Sequence, residues 1–166
     1  MDVRQALKGQ YHAALDMLKQ CIERCPDDLW TAGDRPRSFW RTAYHALFFT
    51  HLYLQPSEAD FVPWELHRDG YQDIWPDEWP DDKRPVPYSK DELLQYWSQC
   101  DGMVDPVVDK LDLDSPTTGF PWYDMPKLDH QIMNIRHIQG HVGQLSELLM
   151  AAGVDTDWVG GRRTGR

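Results

Sequence analysis

Apolar residues recur every three to four positions in four stretches of the chain, which is the periodicity of an amphipathic α-helix. The first stretch covers residues 2–25 and ends before Pro26. The second begins after Ser38, a residue type that often caps helices, and runs to Leu54. Its sequence is apolar on nearly every side, so we predict that this helix lies in the middle of a bundle.

The third and fourth stretches carry clear start and stop signals. Ser89 and Glu92 have the spacing of a capping box, and the helix that they start is predicted to run to about Leu111. Pro106 lies inside it and predicts a kink or a weak turn. The fourth helix is predicted from Leu128 to Ala152, followed by Gly153 in the position of a C-cap glycine.

The connections decide the predicted fold class. Residues 56–88 are rich in proline and tryptophan and are too long for a hairpin between adjacent helices, so they predict a crossover along the bundle. We place Trp30 in the loop after the first helix. No stretch shows the alternation of a strand. The sequence therefore predicts an all-α four-helix bundle with a long crossover connection, in one domain over residues 1–159, with 160–166 as a flexible tail.

Composition narrows the class of function. The chain has 166 residues, of which 41% are hydrophobic, and a formal net charge of -10. Such a negative charge repels phosphate backbones, so we expect no nucleic-acid partner. No apolar run has the length of a membrane span, and residues 1–18 lack the apolar core of a signal peptide. We expect a cytoplasmic protein that has no membrane partner.

The three cysteines are interpreted as core residues. Cys21 and Cys25 lie one helical turn apart on the apolar stripe of the first helix, and Cys100 is isolated. A zinc–thiolate site usually takes close-spaced cysteine pairs from two places, and the chain has no second pair. Burial as free thiols is the better interpretation.

Two histidines of the fourth helix have the spacing of metal ligands. His137 and His141 are four residues apart, so their rings project from one face and can bind one ion. The alternative is a chance pair, with one ring in the core and one on the surface. The same face carries His130, Asn134 and Gln144 but neither Lys nor Glu, which favours an internal polar cavity over a solvent-facing stripe. Gly140 and Gly143 are costly within a helix and predict the close approach of a backbone or ligand beside His141.

A third ligand is expected from another inner helix. We choose His45, because it lies in the middle of the most apolar helix, where an unpaired imidazole would be costly. His51 is predicted to be a partly exposed residue at the helix end, and His12 a surface residue. His67 either packs within the crossover or forms a lid over the site. Three imidazoles would leave an open coordination position, as in catalytic metal sites.

Three segments resemble the DinB-like, damage-inducible superfamily of metal-binding four-helix bundles, and the resemblance covers essentially the whole chain, helix for helix, apart from the tail. They are AYHALFFTHLYL at 43–54, FVPWELHRDGY at 61–71 and NIRHIQGHVGQL at 134–145. The last segment is the most specific, because the family's final helix carries His-x-x-x-His followed by x-Gly-Gln, here His137, His141, Gly143 and Gln144. The histidine of the family's second helix falls on His45.

The resemblance implies an up-down-down-up bundle, a nickel, zinc or similar divalent site, and a homodimer. Some members of the family transfer a low-molecular-weight bacterial thiol to an electrophile, and others have no known activity. Many members have a second histidine just before the His-x-Gly-Gln element, where this chain has Gly140. The resemblance therefore supports the site and the fold better than the reaction.

Several functions are compatible with such a site. The leading hypothesis is a metal-dependent transferase that passes a thiol cofactor to a small electrophilic substrate held in an aromatic-lined mouth. Hydrolysis by a metal-activated water would need a carboxylate base, for which Asp69 and Asp129 are the available candidates. A non-catalytic metal-binding stress or storage protein is the second class. A protein–protein adaptor that uses the Trp-rich connection is the third, although tryptophans of this kind more often pack into the core.

Overall fold

The computed structural model describes residues 2–32, 37–74 and 85–161. Over these residues the fold is all-helical, with no strand. The helices are α1 (Val3–Arg24), α2 (Asp27–Trp30), α3 (Phe39–Leu54), α4 (Lys90–Lys110) and α5 (Lys127–Ala151), and Glu58–Asp60 form a 3-10 turn. The all-α prediction is confirmed, and each of the four predicted helices ends within two residues of the predicted boundary.

The helix ends show why the boundaries could be predicted. The Ser89 hydroxyl accepts a hydrogen bond from the Glu92 backbone N–H, and the Glu92 carboxylate accepts one from the Ser89 N–H at 2.6 Å, which completes the capping box. At the end of α5, the Gly153 N–H donates to Met150 and the Val154 N–H to Leu149. Gly153 has φ +77, the left-handed conformation of a Schellman motif.

The four long helices pack around one hydrophobic core. Helices α1 and α3 each pack against both α4 and α5. At one end of the bundle the Arg4 guanidinium donates to the carbonyls of Val108 and Leu111, and at the other end Lys90 Nζ donates to the Cys25 carbonyl at 2.5 Å. The beginning of α1 therefore lies beside the end of α4, and the beginning of α4 beside the end of α1.

The structure corrects the placement of Trp30. This residue lies in the short helix α2 rather than in a loop, and its side chain is buried. The indole N–H donates to the Tyr88 carbonyl at 2.8 Å, which fastens α2 to the segment before α4. Trp64 of the crossover is also buried and stacks on Tyr96 at 4.5 Å between ring centroids. Both tryptophans therefore pack into the core, whereas Trp75 and Trp79 lie outside the described residues.

A close contact between two loops fixes α3 relative to α5. Gly119 has φ +80, and a Cβ at this position would lie 2.4 Å from the Pro56 carbonyl oxygen, so only glycine fits. The buried Lys127 ammonium donates to the carbonyls of Pro56 and Thr118. The connection that leaves α3 is thereby tied to the start of α5.

Other expectations concern the cysteines, the tail and membrane spans. Cys21, Cys25 and Cys100 are buried free thiols, as predicted, and burial raises the pKa of each. Of the predicted tail, Gly160 accepts a hydrogen bond from Gln10 at 3.3 Å, and residues 162–166 lie outside the described part of the chain. None of the described helices combines the length and apolarity that a membrane span requires.

Candidate metal centre

Helices α3 and α5 bring the rings of His45, His137 and His141 together. His137 Nε2 lies 3.1 Å from His45 Nε2 and 3.0 Å from His141 Nε2. One nitrogen from each ring lies within 4.8 Å of the other two, and among the described residues this is the group of side chains that could hold a metal ion. The structure thus brings together the three histidines that the sequence singled out.

The contact between α3 and α5 holds these rings in register. His45 lies in the middle of α3, and His137 and His141 are one turn apart on α5. Nearer the beginning of α5, the Gln131 side chain donates to the Tyr53 carbonyl at 2.9 Å, and the Asn134 side chain donates to the Thr50 carbonyl at 3.4 Å. These bonds join polar side chains of α5 to the backbone of α3.

Hydrogen bonds at the other ring nitrogen orient two of the imidazoles. His45 Nδ1 donates to the Gln72 carbonyl at 2.5 Å, and His141 Nδ1 donates to Gln144 Oε1 at 2.9 Å. Because carbonyl oxygens only accept, the proton of each ring lies on Nδ1, and each Nε2 presents a lone pair to the centre. This tautomer is the one that an Nε2-ligated metal requires.

Burial keeps the cluster uncharged. It lowers the pKa of His45 to about 3, with smaller contributions from the neighbouring His141, His137 and Arg41, against the bond to Gln72. Burial also lowers the pKa of His137 to about 4 and the pKa of His141. Three neutral imidazoles at pH 7 can therefore offer lone pairs to one cation without losing a proton first.

The chemistry of this donor set suits a transition metal. The cluster consists of imidazoles alone, with no carboxylate or thiolate in the group. Nitrogen ligands suit zinc, nickel, copper and iron and exclude the oxygen-seeking calcium and magnesium. Phe49 packs against His45 and His137, with ring centroids 4.6 and 5.7 Å apart, and gives the cluster an apolar wall.

Two histidines that were expected at the surface are buried instead. His12 is 6% exposed, and its ring contacts Asp101 at 2.5 Å and Asp105 at 3.1 Å, so the surface prediction was wrong. Its acidic partners are about 90 residues away in sequence. His51 is also buried, because α4 covers the end of α3 and the Tyr96 hydroxyl lies 3.1 Å from its Nδ1. The prediction of a partly exposed His51 was therefore also wrong.

His67 and His130 lie apart from the cluster. His67 packs within the crossover, with the Tyr44 hydroxyl 2.6 Å from its Nδ1 and Phe48 stacked on its ring. Its Nε2 lies 3.4 Å from the fully exposed Asp69 carboxylate. His130 is fully buried, in an aromatic box formed by Tyr53, Phe120 and Tyr123.

The polar face of α5 is internal over most of its length. His130, Asn134 and His141 are buried and His137 is half-buried, as the absence of Lys and Glu predicted, but Gln144 is exposed. The expectation for the glycines was wrong. A Cβ added at Gly140 or Gly143 would meet nothing within 4 Å, so no part of the described chain approaches them closely.

The comparison with protein families agrees with this fold and this cluster. The family model described as the DinB superfamily matches residues 10–145, which include most of α1, all of α3 and α4, most of α5 and all three histidines. The chain belongs to the DinB superfamily. No curated protein and no solved structure matches it. Membership in this superfamily, which the sequence motifs suggested, is thus confirmed, and the reaction is left to inference from the site.

Proposed function

We propose that this DinB superfamily protein binds one divalent transition-metal ion through the Nε2 atoms of His45, His137 and His141. The observation that carries the proposal is the convergence of three neutral imidazoles, two of which have their Nδ1 proton committed to a carbonyl oxygen. Such bonds at Nδ1 are the usual support of histidine ligands in metal sites.

The ligand count favours a reactive centre over a closed structural one. Structural zinc sites take four protein ligands, whereas catalytic sites take three and leave a position for water or substrate. We infer nickel or zinc as the resident ion, since imidazole suits both.

The reaction that we propose is transfer of a low-molecular-weight thiol to a small electrophilic substrate. A bound divalent ion would favour the thiolate form of a coordinated thiol at neutral pH. In the balanced reaction the thiol loses its proton to water, its sulfur forms a bond to an electrophilic carbon of the substrate, and the bond from that carbon to a leaving group breaks, so that the leaving group departs with the bonding electron pair. Phe49 packs against His45 with ring centroids 4.6 Å apart and gives the site an apolar wall on that side.

Features of this chain support that reaction over its alternatives. Among the described residues, no carboxylate belongs to the cluster and could act as the general base of a hydrolase, and Asp69 instead faces His67. The protein's own thiols do not compete with a thiol cofactor, because all three cysteines are buried and have raised pKa values. A non-catalytic role, in which the ion only joins α3 to α5, is the alternative that experiment must exclude.

The metal site is tested by metal analysis of protein expressed without an affinity tag. We expect one equivalent of metal in the wild type and its loss in His45→Ala, His137→Ala and His141→Ala. His12→Ala is the matched control, since His12 is buried to a similar extent but lies between α1 and α4, and it should keep the metal. Stoichiometric metal in all three cluster variants would contradict the assignment.

The reaction class is tested with the cobalt-substituted protein. Addition of a low-molecular-weight thiol should change the visible absorption spectrum of the ion if the thiol enters the open position. An unchanged spectrum, together with unfolding on chelation, would favour the non-catalytic alternative.

We further propose an up-down-down-up arrangement, a homodimer and a cytoplasmic location for a single domain over residues 1–159. The arrangement is supported by the contacts of Arg4 with Leu111 and of Lys90 with Cys25, which make α1 antiparallel to α4. The dimer rests on the family resemblance, and light scattering of the untagged protein tests it.

A further inference from the structure

One ligand of the proposed metal site lacks the support that the other two have. His45 Nδ1 and His141 Nδ1 each contact a carbonyl oxygen, whereas His137 Nδ1 is buried and has no partner among the described residues. When Nε2 of a neutral imidazole binds a metal, Nδ1 carries the proton and becomes a donor. A buried donor without an acceptor is unfavourable, so His137 needs an acceptor on the interior side of α5.

Asn134 offers that acceptor on the same face of the same helix. It precedes His137 by three residues, a spacing that brings side chains together one above the other. The Asn134 side chain is fully buried, and its Oδ1 has no partner among the described residues. The two orphan atoms, one a donor and the other an acceptor, therefore lie one turn apart on one buried face.

Neighbouring groups leave Asn134 Oδ1 available for this role. Asn134 Nδ2 donates to the Thr50 carbonyl, which fixes the orientation of the amide. The Tyr11 hydroxyl of α1 interacts with the Asn134 side chain, but it donates its proton to Gln131 Oε1 at 2.8 Å.

We propose that Asn134 is a positioning residue for the metal site, a role that rests on the proposed function. Its Oδ1 accepts the His137 Nδ1 proton through one buried bridging water and thereby fixes the tautomer and the plane of the ring. A buried water commonly joins polar groups that do not contact each other directly. His137 then has an outer partner equivalent to Gln72 for His45 and Gln144 for His141.

The test compares two substitutions of Asn134 with one of Gln131, a buried amide six residues before His137 on α5. Asn134→Leu keeps the size of the side chain and removes the acceptor, whereas Asn134→Asp keeps an oxygen acceptor. Gln131→Leu is the control, because Gln131 is equally buried but bonded to Tyr11 and Tyr53. The readout is the zinc dissociation constant from competition with a chromophoric chelator, with folding checked by circular dichroism.

Loss of an outer-shell partner typically weakens metal binding by about 10- to 100-fold, and we expect that loss in Asn134→Leu. Asn134→Asp should bind zinc at least as tightly as the wild type, and Gln131→Leu should bind like the wild type. A merely structural role would give the opposite order, because a buried carboxyl group disturbs the core more than leucine does. Equal affinities of Asn134→Leu and the wild type would overturn the inference.

Nitrogen NMR of the zinc-loaded wild type gives a second readout that needs no variant. His137 should carry its proton on Nδ1, and this proton should exchange slowly with solvent. If Asn134→Leu does not fold, an exposed, rapidly exchanging Nδ1 proton in the wild type would still overturn the inference. A wild type that binds no zinc would overturn the proposed function itself and this inference with it, whereas zinc binding that is indifferent to Asn134 overturns the inference alone.

Discussion

The contact between α1 and α4 and the contact between α3 and α5 both bury histidines, to nearly the same depth. His12 is 6% exposed at the first contact, and His45 and His141 are each 8% exposed at the second. The rings differ in their partners. His12 lies between the carboxylates of Asp101 and Asp105, whereas the three rings of the α3–α5 cluster face one another, and two of them also contact carbonyl oxygens.

These partners give the histidines at the two contacts different charge states. The bond to Asp101 is the largest cause that raises the pKa of His12, and Asp105 adds to it against the effect of burial. Burial lowers the pKa of His45, His137 and His141, because no carboxylate of the described residues compensates for the loss of solvent. The comparison shows that burial alone does not make a histidine a metal ligand. Burial away from carboxylates favours a neutral imidazole, which can bind a metal. Burial between two carboxylates favours a protonated imidazole, which forms ion pairs with them.

Addition of zinc should produce the largest difference in stability between variants of the two contacts. A ligand that binds only the folded protein at 100 times its dissociation constant raises the free energy of unfolding by about 2.7 kcal/mol. We expect this gain in the wild type and in His12→Gln, and its absence in His137→Ala. Thermal unfolding of metal-free protein with and without zinc measures it. A gain that persists in His137→Ala would place the ion elsewhere.

The ion pairs of His12 with the two carboxylates of α4 should make the stability of the metal-free protein depend on pH. Because the folded protein raises the pKa of His12 above its ordinary value of 6.5, the ion pairs contribute fully below pH 6.5 and are lost as the pH rises through the folded value. His12→Gln should lower the free energy of unfolding by about 1–2 kcal/mol at pH 6, since Asp105 is partly exposed to solvent, and by less at higher pH.

Lys8→Gln provides the matched control for this pH dependence. Lys8 pairs with Asp109 at 2.7 Å, two turns along α4 from Asp101, and this ion pair contains no imidazole. The loss of stability in Lys8→Gln should therefore be the same at pH 6 and at pH 8. A constant loss in His12→Gln as well would show that His12 is not charged in the folded protein.

Gly140→Ala should produce the smallest change in the free energy of unfolding, and it should stabilise the protein rather than destabilise it. Gly140 lies in the interior of α5 with open space around it, so alanine should stabilise the helix by about 0.5–1 kcal/mol and leave zinc affinity unchanged. Chemical denaturation and chelator competition measure the two quantities. A loss of stability that depends on protein concentration would instead show that a second copy of the chain covers this face.

The sequence predicted those features that depend on residues close together along the chain. Pro26, Ser89 and Gly153 set helix ends through local geometry, and the spacing of His137 and His141 places both rings on one face of one helix. His45 is 92 residues from His137, and it was chosen because it lies in the middle of the most apolar helix, where an unpaired imidazole is costly, and because of the family motif.

The features that were missed depend on contacts between distant parts of the chain. Nothing near His12 in the sequence indicates Asp101, and nothing near His51 indicates that α4 covers it. The Gln72 carbonyl that orients His45 is a backbone group in an irregular segment, which carries no side-chain signal. Trp30 was assigned to a loop because a helix of four residues is too short to show periodicity.

X-ray absorption at the metal edge of the untagged, metal-loaded protein tests the central claim most directly. We predict a first shell with three imidazole nitrogens at about 2.0–2.1 Å if the ion is zinc, with no sulfur ligand from the protein. The imidazole signal should be unchanged in His12→Gln and reduced in His137→Ala. A shell that contains cysteine sulfur, or one that does not change in His137→Ala, would contradict the account.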